Sequence, residues 1–371
     1  MSPPGTTLSR RRFLRRSALG AGGLLLGNGL LAACGGPDGA RTLRISNWPL
    51  YIDGRTVADF ERATGIRTKY NEDINDNAEF FAKIEQPLKR GRSIDRDVIV
   101  ITDWMVARMI RLGFVQRLDD GRFPNKANLV DDVRDVSFDP GRRYSVPWLS
   151  GMTGLGYHPA KTGRELTSIN DLFDPALKGR VTMLTEMRDT IGLVMLGMGN
   201  DPSRATRSGV LAAAARIKQG RQTGQIRKFT GNDYAEDLAA GNIAAAIAWS
   251  GDIQGLAADN PDLRWIAPRE GAMLYSDNMM IPKPSDREDL AMAWINYVYD
   301  PRHSAQIVAA APYVSPVKGA GDDLRTIAPA LAASALVNPP AALRERLHVF
   351  RSLSDAEDRD FNQIFQDAIG A

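Results

Sequence analysis

Aromatic side chains and acids gather where strand-like stretches of this 371-residue chain end. Trp48 closes the alternating run Leu43-Arg44-Ile45-Ser46-Asn47, and Tyr51 follows shortly after. Thr102 closes the apolar run Asp97-Val98-Ile99-Val100-Ile101. Glu186 and Asp189 follow Val181 to Leu184, and Trp249 with Asp252 closes Ala244 to Ala248. In open α/β sheets the ligand crevice lies outside the carboxyl ends of the strands, so these side chains are expected to face one cleft. An aromatic face attracts a cation by about 0.5–2 kcal/mol, and a carboxylate forms charge-assisted hydrogen bonds with ammonium groups. Tryptophan and tyrosine beside several acids is the chemistry of an elongated organic cation.

Other chemistries lack their residues. The histidines His158, His303 and His348 are far apart and lack metal-type spacing. The chain contains no Gly-x-Ser-x-Gly, His-Glu-x-x-His, phosphate loop or Gly-x-Gly-x-x-Gly. No cofactor and no metal are therefore expected. Acid pairs leave a carboxylate-dependent hydrolase as the one open enzyme reading. Cys34 is the only cysteine, which excludes an internal disulfide.

The elements that must position these residues alternate. Thr56 to Thr64, Asn77 to Lys89 and Asp103 to Leu112 read as helices between strands at 43–48, 66–70 and 97–101. A second series follows, with strands at 180–184 and 244–249 and helices at 189–198 and 233–240. Helices at 287–299 and 302–310 come later. Repeated β-α order implies α/β layers with mostly parallel strands. Tyr144 to Met152 divides the series as an extended crossing segment, and a return crossing is expected near Pro268 to Asp277. Two lobes joined by two crossings make a clamshell with a ligand cleft. The boundaries expected are 41–149 plus 277–316 for one lobe and 150–276 plus 317–371 for the other.

The first 40 residues point elsewhere. Ser9-Arg10-Arg11 with Phe13 and Leu14 follows the twin-arginine export pattern. An uncharged Gly/Leu-rich stretch, Ala18 to Ala33, leads to Leu31-Ala32-Ala33-Cys34, which resembles a bacterial lipoprotein box. Residues 1–33 are expected to be a signal peptide and 34–40 a tether from lipidated Cys34, anchoring an exported protein to the outer face of the cell membrane. The leader holds five arginines and no acids, so removing it takes the formal charge from +3 to 3 − 5 = −2. The basic balance belongs to the leader and gives a nucleic-acid partner no support.

Longer motifs carry a family resemblance. Ser46-Asn47-Trp48-Pro49-Leu50-Tyr51-Ile52, Tyr144-Ser145-Val146-Pro147-Trp148, Ala246-Ile247-Ala248-Trp249-Ser250-Gly251-Asp252 and the stretch from Glu270 through Asp277 resemble the periplasmic spermidine/putrescine-binding proteins of polyamine ABC importers. The resemblance implies a type II periplasmic binding fold, a polyamine ligand and an ABC permease as partner, with no catalysis and a monomeric state. It also implies ligand-binding roles for Trp48, Tyr51, Thr102, Glu186, Asp189, Trp249 and Asp252, and adds Asp277 as an amine-holding aspartate and Tyr313 as a late cleft tyrosine. One position departs: the acid that usually precedes the tyrosine is Leu50 here, and Asp53, Asp73 and Asp103 are the candidate replacements. The alternative is a same-fold protein for an amino acid, an opine-like compound or ferric ion.

Overall fold

Two parallel half-sheets are joined through a pair of long antiparallel strands. The computed structural model describes residues 42–371; Cys34 and the leader lie outside them. Its strands are β1 (Thr42–Asn47), β2 (Arg67–Glu72), β3 (Val98–Thr102), β4 (Val146–Tyr157), β5 (Val181–Leu184), β6 (Ile226–Thr230), β7 (Ala245–Trp249), β8 (Arg264–Ile266), β9 (Ala272–Met280) and β10 (Leu347–His348). The hydrogen-bonded order is β2-β1-β3-β9-β4-β7-β5-β6, with β8 beside β4 and β10 beside β9.

β1 pairs in parallel with β2 and β3, and β5 pairs in parallel with β6 and β7. β7 is buried along its whole length and β3 is buried up to Thr102, as strands covered on both faces must be. β4 and β9 pair with each other in the middle. The end of β9, Asp277 to Met280, also pairs on its other side with β3, and the end of β4, Thr153 to Tyr157, pairs with β7. Each long strand thus starts in one lobe and ends in the other, which is the expected two-crossing clamshell.

Helices follow the strands with almost no intervening chain. Asp103–Arg111 starts directly after β3, and Ser250–Leu256 directly after β7. Met187–Gly197 begins just past β5. Asn77–Lys89 buries Phe80, Phe81, Ile84 and Leu88, and the Asp76 side chain caps it by accepting from the Ala78 and Glu79 amides. Thr56–Thr64 stops at Gly65, whose φ of 69° suits glycine. Because the connections are this tight, the residues at each strand end and helix start are held by both elements.

Past the expected boundary at residue 316 the chain keeps neighbours from the preceding segment. The helix Ala320–Ile327 packs on Pro301–Ala310, Val317 bridges to Leu129, and Lys318 pairs with Asp131 at 2.9 Å. The chain after residue 316 therefore stays on the first lobe. From Ser334, which donates to Gln254, the chain returns to second-lobe residues: Leu347–His348 pairs with the start of β9, and the C-terminal helix Asp355–Ile369 packs against Arg207–Gln222. The ion pair and apolar contacts around Val317 hold that segment where it is.

Candidate functional site

Trp48, Tyr51, Thr102, Glu186, Asp189, Trp249, Asp252, Asp277 and Tyr313 line a single cavity of about 60 Å³ between the lobes. The antiparallel register sets Thr102 of β3 opposite Asp277 of β9. The Thr102 hydroxyl donates to Asp277 Oδ1 at 2.7 Å and the Tyr51 hydroxyl to Oδ2 at 2.9 Å. The second lobe supplies the other acids. Asp252 accepts from the Tyr313 hydroxyl at 2.6 Å and the Tyr234 hydroxyl at 2.7 Å. Asp189 accepts from Thr153 Oγ1 at 2.9 Å and from the Trp249 indole at 3.1 Å. Glu186 accepts across the cleft from the Asn77 amide at 2.9 Å and from Asn77 Nδ2 at 2.8 Å.

The aromatic walls meet edge to face. Trp48 and Trp249 lie 5.9 Å apart at 71°, Trp249 and Tyr275 6.4 Å apart at 65°, and Tyr51 and Tyr313 4.8 Å apart at 87°. Two glycines make room for these rings: a Cβ at Gly251 would overlap the Tyr313 ring, and one at Gly151 the Tyr275 hydroxyl.

Acids outnumber cations at the cavity wall, where Arg188 is the basic side chain among the described residues. Glu186, Asp252 and Asp277 are buried and Asp189 is partly open to the cavity. Every hydrogen bond they accept comes from a neutral group, and none forms an ion pair with an arginine or lysine among the described residues. Desolvation is the leading cause of their shifts. It pushes Asp277 up to about 7 and Asp189 up to about 6, and raises Glu186 and Asp252. Three buried polar atoms of lining residues lack partners: Trp48 Nε1, Asn232 Oδ1 and Arg188 Nη1.

The candidates for replacing the acid at Leu50 separate. Leu50 is 58% exposed. Asp53 is engaged by Gln306 and Asp73 by Arg96, whereas Asp103 lines the cavity. Residues that sequence reasoning missed are Asn77, Trp104, Arg188, Asn232 and Tyr275. Tyr275 had a signal, since it lies two positions before Asp277 and therefore on the same strand face. Asn77 and Arg188 had none, as each opens or sits in a helix start like many surface polar residues. Among the described residues no three His, Cys, Asp or Glu side chains are arranged to hold a metal ion.

Two α/β lobes, two strand crossings and a ligand-sized cavity between them define the class: a two-lobed solute-binding protein of the type II periplasmic kind. The chain belongs to the bacterial extracellular solute-binding protein family, whose model matches residues 55–334. That is a family of binding proteins rather than enzymes, so the hydrolase reading is set aside. The chain is similar to the putrescine/cadaverine-binding protein of Pseudomonas aeruginosa, 29% identical over 360 residues, covering 92% of this chain and 97% of that one. It is also similar to the putrescine-binding periplasmic protein PotF of Escherichia coli, 29% identical over 342 residues, covering 86% and 89%. A solved structure from Listeria monocytogenes, assigned to a spermidine/putrescine ABC transporter, superposes with a TM-score of 0.80 at 26% identity, covering 88% of this chain and 98% of that one.

The raised acids make ligand binding pH-dependent. The folded, empty cavity holds protons that the unfolded chain, with ordinary carboxyls near pKa 4, has released. Stability of the empty protein is therefore fullest below about pH 4 in this term and is lost as pH rises toward 7. A cation that favours the carboxylate forms should displace those protons. Cation affinity is expected to rise between pH 5 and pH 8, with proton release visible as a dependence of the calorimetric heat on buffer ionisation. Equal affinity at both ends of that range would remove the acids from the binding step.

Proposed function

We propose that this protein captures a polyamine in the inter-lobe cavity and delivers it to an ABC permease. The observation that carries the reading is the set of four cavity acids, Glu186, Asp189, Asp252 and Asp277, hydrogen-bonded by neutral groups and lacking a cationic partner. Buried negative charge without a counter-charge is costly. A linear chain of methylenes and ammonium groups answers both halves of the wall: its ammoniums meet the acids and its methylenes lie on Trp48, Trp249 and Tyr275. An anionic ligand would meet the same acids as repulsion. The relatives named for putrescine support the same chemistry.

The lobes are taken to divide at β4 and β9 and to close on the ligand as a monomer, the permease reading the closed form. The relatives are periplasmic or exported proteins, and this chain works outside the cytoplasm. For anchoring we rely on the sequence alone: a twin-arginine motif, an uncharged stretch and a lipobox in that order. Acyl chains on Cys34 would then be the attachment to the membrane. Cys34→Ala is expected to give a protein that is exported yet released from the membrane on washing. Retention of the variant in the membrane fraction would disprove lipid anchoring.

A thermal-shift screen of residues 35–371 against polyamines, amino acids and metal ions tests the ligand class, since a ligand bound only by the folded form raises Tm. Asp277→Asn should weaken putrescine binding by about 2–5 kcal/mol, the cost of leaving a desolvated ammonium without its charge partner. The empty variant should melt no lower than the wild type at pH 8, because a raised carboxyl is already a burden there. An unchanged Kd would take Asp277 out of the site.

The tryptophans provide a separate check. Trp48→Leu and Trp249→Leu should each weaken polyamine binding by roughly 1–3 kcal/mol, combining lost cation–π attraction with lost apolar contact. Calorimetry and melting measured on both variants decide between wall and core. Lost affinity with a preserved Tm supports the wall, and lowered Tm with intact affinity overturns it.

A further inference from the structure

Asp103 is the cavity acid that no other function explains. It opens the helix Asp103–Arg111, directly after Thr102, whose hydroxyl holds Asp277. Oδ1 accepts from the neighbouring Trp104 amide at 2.7 Å, and Oδ2 has no hydrogen-bond partner among the described residues. It is partly buried and lines the narrow cavity. It also lines a larger hollow of about 660 Å³ on the far side, so it stands at the junction of the two spaces. Arg188 lines both spaces as well. Its guanidinium lies 4.0 Å over the Trp104 ring and donates through Nη2 to Asp358 at 2.7 Å, while Nη1 is buried and unpartnered. Beyond this point the hollow is bordered by Arg142 and by Arg108, Arg111 and Arg351, which pair with Asp358, Asp355 and Glu357.

We propose that Asp103 receives a terminal ammonium of the ligand, in place of the acid absent at Leu50, and that Arg188 stops the cavity there so that the site prefers a diamine to a triamine. This rests on the polyamine reading above. Asp103, Asp189 and Asp277 all line the cavity; Asp277 feels the charges of Asp103 and Asp189, and Asp103 feels Arg188 and Arg142 before Asp189, so these acids share one locus beside the Arg188 guanidinium. Asp252 is held by its own hydroxyls, those of Tyr313 and Tyr234, and no other carboxylate is among the causes of its shift. Two acidic loci suit two ammonium groups. A third ammonium would have to pass the Arg188 guanidinium, where like charge opposes it. The free Oδ2 gives a terminal ammonium an acceptor that no protein group now uses.

The test is calorimetry of the folded protein (residues 35–371) with putrescine, cadaverine and spermidine. The wild type is expected to bind the diamines at least tenfold more tightly than spermidine. Asp103→Asn should weaken putrescine about thirtyfold or more while leaving the Tm of the empty protein unchanged or higher at pH 8. Asp103→Glu, which keeps the charge, should bind putrescine at least fivefold more tightly than Asp103→Asn, a difference that a helix-capping role for Asp103 would not produce, since asparagine also caps. Arg188→Gln should narrow the diamine preference; the wild-type ratio stands as the readout if that variant does not fold. Putrescine affinity of Asp103→Asn within threefold of wild type, with Asp277→Asn still impaired, overturns the role of Asp103 and leaves the polyamine reading standing. Spermidine binding as tightly as putrescine overturns the stop at Arg188. A wild type that binds no polyamine fells the underlying reading and this proposal with it.

Discussion

Negative charge held out of water without a directly paired cation is the constraint on which the rest of this structure depends. Glu186, Asp252 and Asp277 are each less than a tenth exposed, and Asp189 joins them at the cavity wall. Their partners are hydroxyls, an indole, an amide and a carboxamide. Such donors fix the orientation of a carboxylate and offset part of its desolvation, but they do not neutralise it. The result is raised proton affinity throughout the cavity, with burial as the leading cause at each acid. A closed empty cavity is thus an electrostatically strained one, and the ligand supplies what the fold withholds.

The fold can hold this arrangement because its rigid elements end at it. β3 and β7 run straight into helices, so Thr102 and Trp249 are each strand terminus and helix cap at once. The register that sets Thr102 against Asp277 is fixed by the β3–β9 ladder, and a slip of one residue would turn Asp277 to the other face. Gly151 and Gly251 let Tyr275 and Tyr313 approach backbone that any side chain would keep away. None of these residues touches the ligand chemistry alone, yet each limits where an acid or a ring can lie.

How much of this was legible follows from the same geometry. Seven cavity residues could be read because strand ends converge in an α/β sheet and apolar runs mark those ends. Asp277 lies within β9 rather than at its end, and Tyr313 in irregular chain after a helix, so periodicity does not single them out and only the family motifs did. Arg188 stayed hidden because a charged residue in the first turn of a helix ordinarily faces water; here Trp104 and Asp358, both remote in sequence, hold it inside. The helix Arg207–Gln222 carries two glycines and little apolar patterning, which masks it. The C-terminal helix did carry a signal, a Ser354–Glu357 capping box ahead of Phe361 and Phe365. The lobe to which the chain past residue 316 belongs is not legible locally, because it depends on tertiary neighbours such as Leu129 and Asp131, which no local pattern reports.

The contacts that close the cleft are also the contacts that feel the charge. Asn77 opens a helix of the first lobe and donates twice to Glu186 of the second, while Asp76, its helix cap, accepts from Thr185 at 2.9 Å. The charge of Asp76 in turn raises the proton affinity of Glu186. Closure therefore brings like charges together across the same seam that its hydrogen bonds stitch. The two terms oppose each other, so a ligand that relieves the repulsion adds to the hydrogen bonds across the seam. A ligand shifts such an equilibrium only by its difference in affinity for the two forms. A multivalent cation has that difference built in, since only the closed form gathers acids of both lobes around it. A neutral molecule filling the same volume would gain the aromatic contacts and leave the repulsion in place. Selectivity for charge and the closing motion are in this way one property, set by where the uncompensated acids lie relative to the seam.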